Sequence, residues 1–176
     1  PTPRARVAAL FQRLIPLAQP ERWDRLPRPA QDLHLVVLWV GEVNNGGHRQ
    51  FFDNSAGDRS LETLEALERV GAPAACLDTL RGALALFEDG APPVVRWERQ
   101  DALAARWPGE TLQPRTYALD RALHAAEEPL FEAAAAYLAR EAGALAPFVD
   151  RHPSGLKALD LADDLRVASV VERGPE

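Results

Sequence analysis

One stretch of the chain, Gly41 to Asp58, constrains the fold more than any other part of the sequence. It combines a cluster of turn-forming residues, Asn44 to Gly47, with two adjacent aromatic residues, Phe51 and Phe52. An apolar run from Leu33 to Val43 leads into it, and two amphipathic helical patterns follow it. The stretch therefore joins the elements that form the core, and the conformation of the apolar run decides the fold class.

The run from Leu33 to Val43 fits both a buried helix and a buried strand, because both appear in sequence as continuous hydrophobic residues. Its valines, followed by the strong hairpin signal Asn45-Gly46, favour two strands joined by a tight turn. A proline at its start, Asp32 in the first turn and glycines at its end favour a helix that stops at Gly46 or Gly47. The residues alone leave both interpretations open.

Composition bounds the class of protein. A chain of 176 residues suffices for one domain with a substantial core and is too short for two independent cores. The proportions of hydrophobic (47%) and charged (26%) residues predict a globular fold rather than disorder. We expect neither a signal peptide nor a membrane span, which needs roughly 18 apolar residues in a row. The single cysteine, Cys76, excludes an internal disulfide and favours a cytoplasmic location.

Helical periodicity dominates the first half of the chain. Apolar residues at spacings of three and four predict an amphipathic helix over Arg4 to Ala18. A proline-rich linker follows, and we expect Trp23 to hold it on the core. After the central stretch, a helix that stops at Gly71 and a second helix over Ala74 to Glu88 predict an antiparallel helical hairpin.

The second half of the chain is also predicted to be helical. A short helix is expected over Glu98 to Trp107 and another over Thr116 to Ala126. An alanine-rich helix is predicted to start after Pro129 and to be capped by Gly143. The segment from Pro147 to Gly155 has the composition of a turn-rich connection.

The charge balance indicates the kind of partner. The net charge of −6 disfavours a polyanion, because nucleic-acid-binding proteins concentrate Lys and Arg on one face. An acidic surface instead favours a basic protein as partner. Three groups of carboxylates at helical spacing form the candidate acidic interaction surface, although such groups are more often solvated helix faces: Glu62, Glu65, Glu68, Glu127, Glu128, Glu132, Asp160, Asp163 and Asp164.

Patterns that mark catalytic and metal sites are not met. Asp53 to Asp58 superficially matches a calcium loop, but its glycine is one position early and Leu64 stands where a bidentate glutamate belongs. The histidines are scattered, and Cys76 has no partner at zinc-ligand spacing. The sole lysine, Lys157, excludes a phosphate-binding loop. We therefore predict no catalytic residue, no metal and no cofactor, and an enzyme is the less favoured interpretation.

A family resemblance is carried by Glu42-Val43-Asn44-Asn45-Gly46-Gly47, followed by Gln50-Phe51-Phe52, Asn54 and Gly57. This string resembles the hallmark of the DNA mimic protein 19 family of bacteria, and Val70-Gly71-Ala72 matches a later family feature. The resemblance implies a mainly α fold, a single-domain compact multi-helix bundle with a helix, the Asn-Gly-Gly loop and a second helix at its centre. It favours the helical interpretation of Leu33 to Val43. His48 stands where the family usually has Phe, which predicts a polar or exposed site at this position.

The resemblance also divides the chain into three parts. Residues 1–29 are predicted to form an N-terminal helix and proline-rich linker that pack on the body of the protein. Residues 30–142 are the family-like helical core, and residues 143–176 are a C-terminal extension of the same domain.

For the motif itself we predict a structural role. Its asparagines can cap the preceding helix, its glycines can adopt positive φ, and its aromatics can anchor the next helix. The residues concerned are Glu42, Asn44, Asn45, Gly46, Gly47, Gln50, Phe51, Phe52, Asn54 and Gly57.

The family takes its name from a member regarded as a DNA mimic, whose acidic surface occupies the DNA-binding face of a regulator. The resemblance implies a non-enzymatic acidic domain that binds a basic protein, without direct binding of nucleic acid or membrane. A homodimer would join two modest acidic faces into a longer one. The alternative is a small-ligand-binding module or enzyme that uses a polar pocket around Glu42, Asn45 and His48.

Overall fold

The structure, a computed structural model, describes residues 2–15, 18, 20–106, 108 and 113–151. This part of the chain contains seven α-helices and no β-strand, which confirms the predicted mainly α class. Three short 3-10 helices lie at Pro20–Arg25, Ser55–Arg59 and Glu88–Gly90. The α-helices are α1 (Pro3–Leu14), α2 (Arg28–Asp53), α3 (Ser60–Val70), α4 (Ala74–Leu84), α5 (Arg96–Arg106), α6 (Gln113–Arg140) and α7 (Ala142–Arg151).

Helix α2 decides between the two interpretations of the apolar run. Residues 33–43 are helical throughout, so the hairpin interpretation is wrong. Trp39 is fully buried, and the apolar side chains at Leu33, Val36 and Val40 are at most 3% exposed. Burial on several sides of the helix explains why the sequence shows a continuous apolar run rather than a clean stripe.

One compact unit comprises residues 1–34 and 131–176, of which the structure describes the ranges given above. The Tyr137 hydroxyl donates a hydrogen bond to Asp32 Oδ2 at 2.6 Å, and Gln31 Nε2 donates to the Trp23 carbonyl at 2.8 Å. The ring of Trp23 is buried and makes an edge contact with His34, with ring centroids 5.6 Å apart. These contacts hold the proline-rich linker in place, as the sequence predicts for Trp23.

The second compact unit comprises residues 35–130. Helices α3 and α4 form the predicted antiparallel hairpin, and Gly71 ends α3 in the left-handed conformation with φ 75° and ψ 38°. The N–H groups of Gly71 and Ala72 donate to the carbonyls of Glu68 and Leu67, which is the hydrogen-bonding pattern of a glycine helix cap. The hairpin buries Leu67 and other apolar side chains in the core of this unit, namely Ala66, Val70, Cys76, Leu80, Ala83 and Leu84.

Two proline-based predictions are wrong. Pro129 lies inside α6, which runs without a break from Gln113 to Arg140, and Pro147 lies inside α7. A proline within a helix removes one backbone hydrogen bond. Burial of the neighbouring Leu130 and Phe148 offsets that cost, because hydrophobic burial outweighs local propensity in a core helix. Gly143 is part of α7 and does not cap α6.

No helix in the described ranges is both long and apolar enough to cross a membrane.

Candidate functional site

The Asn-Gly-Gly motif interrupts α2. Gly46 has φ −158° and ψ 23°, and Gly47 has φ 73° and ψ −178°, so the helix stops and restarts at this pair. A Cβ atom at Gly46 would collide with the Gln50 side chain, and one at Gly47 would lie 2.5 Å from Asp120 Oδ2. Glycine is thus required at position 47 for both backbone conformation and space. The predicted helix–loop–helix centre is present, and of its two glycines Gly47 has positive φ whereas Gly46 does not.

Glu42 bridges the interruption. Its carboxylate Oε2 accepts hydrogen bonds from Gln50 Nε2 at 2.7 Å and from Asn54 Nδ2 at 2.8 Å. The acceptor lies before the break and both donors lie after it, so the three side chains fix the angle at which the helix restarts. Two charge-assisted hydrogen bonds at these distances are stronger than neutral ones.

His48 and Asp120 form a second link on the far side of the glycines. The His48 backbone N–H donates to Asp120 Oδ1 at 2.9 Å, and His48 Nδ1 lies 2.6 Å from the same oxygen. The carboxylate therefore caps the restarted part of α2, where the helix dipole favours negative charge. The His48 side chain is fully buried, with its ring centroid 5.9 Å from that of Trp39. Position 48 is polar as predicted, and it is buried rather than exposed.

The environment of Asp120 favours its charged form. Burial raises the pKa of Asp120. The hydrogen bonds from the ring and backbone of His48, the charge of His48 and the hydrogen bond from the Thr116 hydroxyl together lower it by a larger amount. The net pKa lies below the usual aspartate value of 3.8. Asp120 is therefore a carboxylate at neutral pH, which its capping role requires. Sequence reasoning missed this residue, because its partner lies 72 positions away.

Arg99 organises the segment that follows α2, and it too was missed. Its side chain is fully buried and donates to the carbonyls of Phe52 at 2.8 Å and Asn54 at 2.9 Å. It also pairs with Asp58 at 2.8 Å and donates to two carbonyls just before α5, those of Pro93 and Val94. The sequence signal that could have indicated a buried Arg99 is its position four residues before Leu103, the other buried residue of α5, because this spacing places both side chains on one helix face.

The remaining motif residues divide into buried anchors and exposed amides. Phe51 and Phe52 are buried, and Phe52 makes an edge contact with Phe87 at a centroid distance of 4.8 Å. A Cβ atom at Gly57 would lie 2.7 Å from the Phe51 carbonyl and 2.9 Å from Arg99 Nε, so this glycine permits close approach of the Arg99 side chain. The two asparagines before the glycines, Asn44 and Asn45, are exposed, and neither side chain forms a hydrogen bond within the described residues.

The three residues of the expected ligand pocket form no hydrogen bond with one another in the described part of the chain. Glu42 is bonded to Gln50 and Asn54, His48 is buried against Asp120, and Asn45 is exposed. Across the residues that the structure describes, no group of three or more His, Cys, Asp or Glu side chains is placed to hold a metal ion.

The environment of Cys76 makes its thiol unreactive. Burial, followed by the charge of Glu127, raises the pKa of the Cys76 thiol to about 11. The thiol is therefore protonated near neutral pH, and the thiolate that nucleophilic chemistry needs is scarce.

The predicted acidic row on α3 is compensated by arginines. Glu62 pairs with Arg59 at 2.7 Å, and Glu65 pairs with Arg69 at 3.4 Å. Glu68 pairs with Arg81 of α4 at 2.8 Å. The three carboxylates point outward as the spacing predicts, but each has a cation beside it, so the face is a row of ion pairs rather than a row of free negative charges.

The remaining residues of the candidate acidic interaction surface differ in their exposure. Glu127 is buried at 7% exposure, whereas Glu128 and Glu132 are exposed on α6. Asp160, Asp163 and Asp164 lie outside the described residues.

Four exposed carboxylates that the sequence analysis did not single out form no ion pair within the described part of the chain. Glu88 and Asp89 lie in the 3-10 turn before α5, and Glu98 and Asp101 lie one helical turn apart on α5. These four residues carry uncompensated negative charge on the 35–130 unit.

The regular secondary structure of the described part of the chain is entirely helical, and Glu42, His48, Gln50 and Asn54 of the motif stretch are held by hydrogen bonds within the protein. A family model described as DMP19-like protein matches residues 24–141. The match spans more than half of the chain, and the chain belongs to the DMP19-like protein family, which confirms the resemblance carried by the motif. Comparison with curated proteins and with solved structures gives no match in either case.

Proposed function

We propose that this protein is a non-enzymatic, acidic protein-binding domain that occupies the DNA-binding face of a basic regulator. Membership of the DMP19-like family, through the match over residues 24–141, is the observation that carries the proposal, because it supports a role of the DNA-mimic type at the level of the family. The net charge of −6 has the sign that such a partner requires.

The electrostatic part of the proposal rests on free carboxylates. An ion-paired glutamate such as Glu68 presents a dipole, whose field falls off faster than that of an isolated charge. Glu88, Asp89, Glu98 and Asp101 have no such partner among the described residues and attract a cationic surface at longer range. We therefore assign these four residues the larger share of the attraction, and the three glutamates of α3 a smaller share.

Charge-reversal variants test this assignment. The immobilised full chain is incubated with a lysate of its host at low salt, and bound proteins are eluted with increasing salt. We expect a basic DNA-binding protein to be retained and then released as salt screens the charges. The variant Glu88→Lys/Glu98→Lys/Asp101→Lys should retain much less of it than the matched variant Glu62→Lys/Glu65→Lys/Glu68→Lys, which reverses the same number of charges. Failure of the wild-type chain to retain any DNA-binding protein would contradict the proposal.

A further inference from the structure

Three large apolar side chains are exposed at the start of α5. Val94 is 68% exposed, Val95 44% and Trp97 62%. We name Val94, Val95 and Trp97 the Trp97 patch. Exposed tryptophan is unusual on a protein surface and is enriched at the energetic centres of protein interfaces.

The Trp97 patch is held in a defined conformation. Arg99, which lies two residues after Trp97 and is fully buried, donates to the carbonyls of Pro93 and Val94 at 2.8 Å each. The same guanidinium binds Asp58 and two carbonyls at the end of α2, so it ties the patch to the core of the unit. A surface that is already ordered loses less conformational entropy when a partner binds. The Trp97 patch is thus built as a preorganised surface.

Acidic side chains flank the Trp97 patch. Glu98 and Asp101 are exposed on the same helix, and Asp101 follows Trp97 by four residues, which places both on one helix face. Within residues 88–101, all of which the structure describes, four exposed carboxylates stand against one exposed cation, Arg96, because Arg99 is buried. The complement of this surface is an apolar side chain with lysine or arginine beside it.

We propose that the Trp97 patch is the docking site for a segment of a basic protein that places an apolar side chain against Trp97 and cations against Glu98 and Asp101. This inference deepens the proposed function, on which it rests, by naming the contact surface. A second copy of the chain fits less well, because it would bring a second acidic flank of the same sign to the patch. An anionic lipid surface would repel the same carboxylates.

Binding of a defined probe tests the docking site. The probe is a fluorescein-labelled amphipathic peptide of leucine and lysine, and its fluorescence anisotropy is measured against the full chain. We expect binding that weakens with salt, and no binding of leucine–glutamate or serine–lysine peptides of the same length. Trp97→Ala should weaken binding about tenfold or more. Tyr117→Ala is the matched control, because Tyr117 is 58% exposed on α6, and this change should leave binding unaltered.

The acidic flank is tested with Glu98→Gln/Asp101→Asn, which should weaken peptide binding and flatten its salt dependence, while Glu62→Gln/Glu65→Gln should change neither. Equal peptide binding by wild type and Trp97→Ala would overturn the docking site, as would a dimer in light scattering that Trp97→Ala converts to monomer. Retention of a DNA-binding protein by both the wild-type chain and Trp97→Ala would leave the proposed function intact and reject the Trp97 patch alone. Retention of none by wild type, with peptide binding as expected, would reject the proposed function alone.

Discussion

Substitution of Gly47 by alanine tests the structural account of the central motif. The Gly47 backbone, with φ 73° and ψ −178°, lies in a region that is essentially restricted to glycine. The added Cβ atom would also lie 2.5 Å from Asp120 Oδ2 and would therefore collide with the carboxylate that caps the restarted helix. Gly41→Ala is the matched control, because a Cβ atom at Gly41 meets nothing within 4 Å.

The two substitutions should change stability in opposite directions. Forcing a non-glycine residue into the conformation of Gly47 costs about 1–3 kcal/mol. Displacing the Asp120 carboxylate weakens buried hydrogen bonds to a charged group, which are worth about 1.5–3 kcal/mol. Gly47→Ala should therefore lower the free energy of unfolding by about 2.5–6 kcal/mol, a large part of the roughly 5–15 kcal/mol typical of a domain. Gly41→Ala should raise it by about 0.5–1 kcal/mol, because alanine favours a helix interior.

Urea denaturation followed by circular dichroism measures both changes. Repeating Gly47→Ala in an Asp120→Ala background separates the two costs, because the steric part disappears with the carboxylate while the backbone part stays. A loss below about 1 kcal/mol for Gly47→Ala in the wild-type background would refute the account of this glycine.

Three further predictions concern groups that the structure places in the 35–130 unit. Arg99→Ala should lower the free energy of unfolding by about 3–5 kcal/mol in urea, since it removes hydrogen bonds to four carbonyls and the ion pair with Asp58, whereas the exposed Arg96→Ala should change it by less than about 0.5 kcal/mol; similar values for the two would be inconsistent with the network. The pKa of Asp120 is lower in the folded than in the unfolded chain, so its contribution is present above about pH 4 and lost as pH falls through the folded pKa. The difference in unfolding free energy between wild type and Asp120→Asn should therefore shrink as pH falls below about 4, and a difference that does not change down to the acid transition would contradict the charge assignment. Cys76 should react with a thiol reagent at neutral pH only as the chain unfolds, and rapid labelling of the native protein would contradict its burial.

Local features of the fold followed from the sequence. The helical hairpin closed by Gly71 and the break in α2 at the two glycines both depend on neighbours close in the chain. Turn chemistry and helical spacing describe such neighbours directly.

Contacts between distant residues did not follow from the sequence. Asp120 lies 72 residues from His48, and Arg99 lies 47 from Phe52, so no spacing rule could pair them. The buried state of His48 depends on that unseen carboxylate, since a polar ring is buried at low cost only when a partner is present.

The acidic faces show the same limit. Helical spacing placed Glu62, Glu65 and Glu68 on the outside of α3, but the pairing of Glu68 with Arg81 depends on how α3 and α4 meet. The helix boundary predicted at Pro129 is likewise absent, because the burial that keeps α6 continuous is a tertiary property that the presence of a proline does not reveal.

Displacement of DNA tests the central claim most directly. A fluorescein-labelled duplex is bound to the basic DNA-binding protein that the chain retains from its host lysate, and the full chain is titrated in while anisotropy is followed. The account predicts that anisotropy falls to the value of free duplex as the chain replaces the duplex on the protein. A rise in anisotropy, which reports a ternary complex in which duplex and chain bind together, would contradict it.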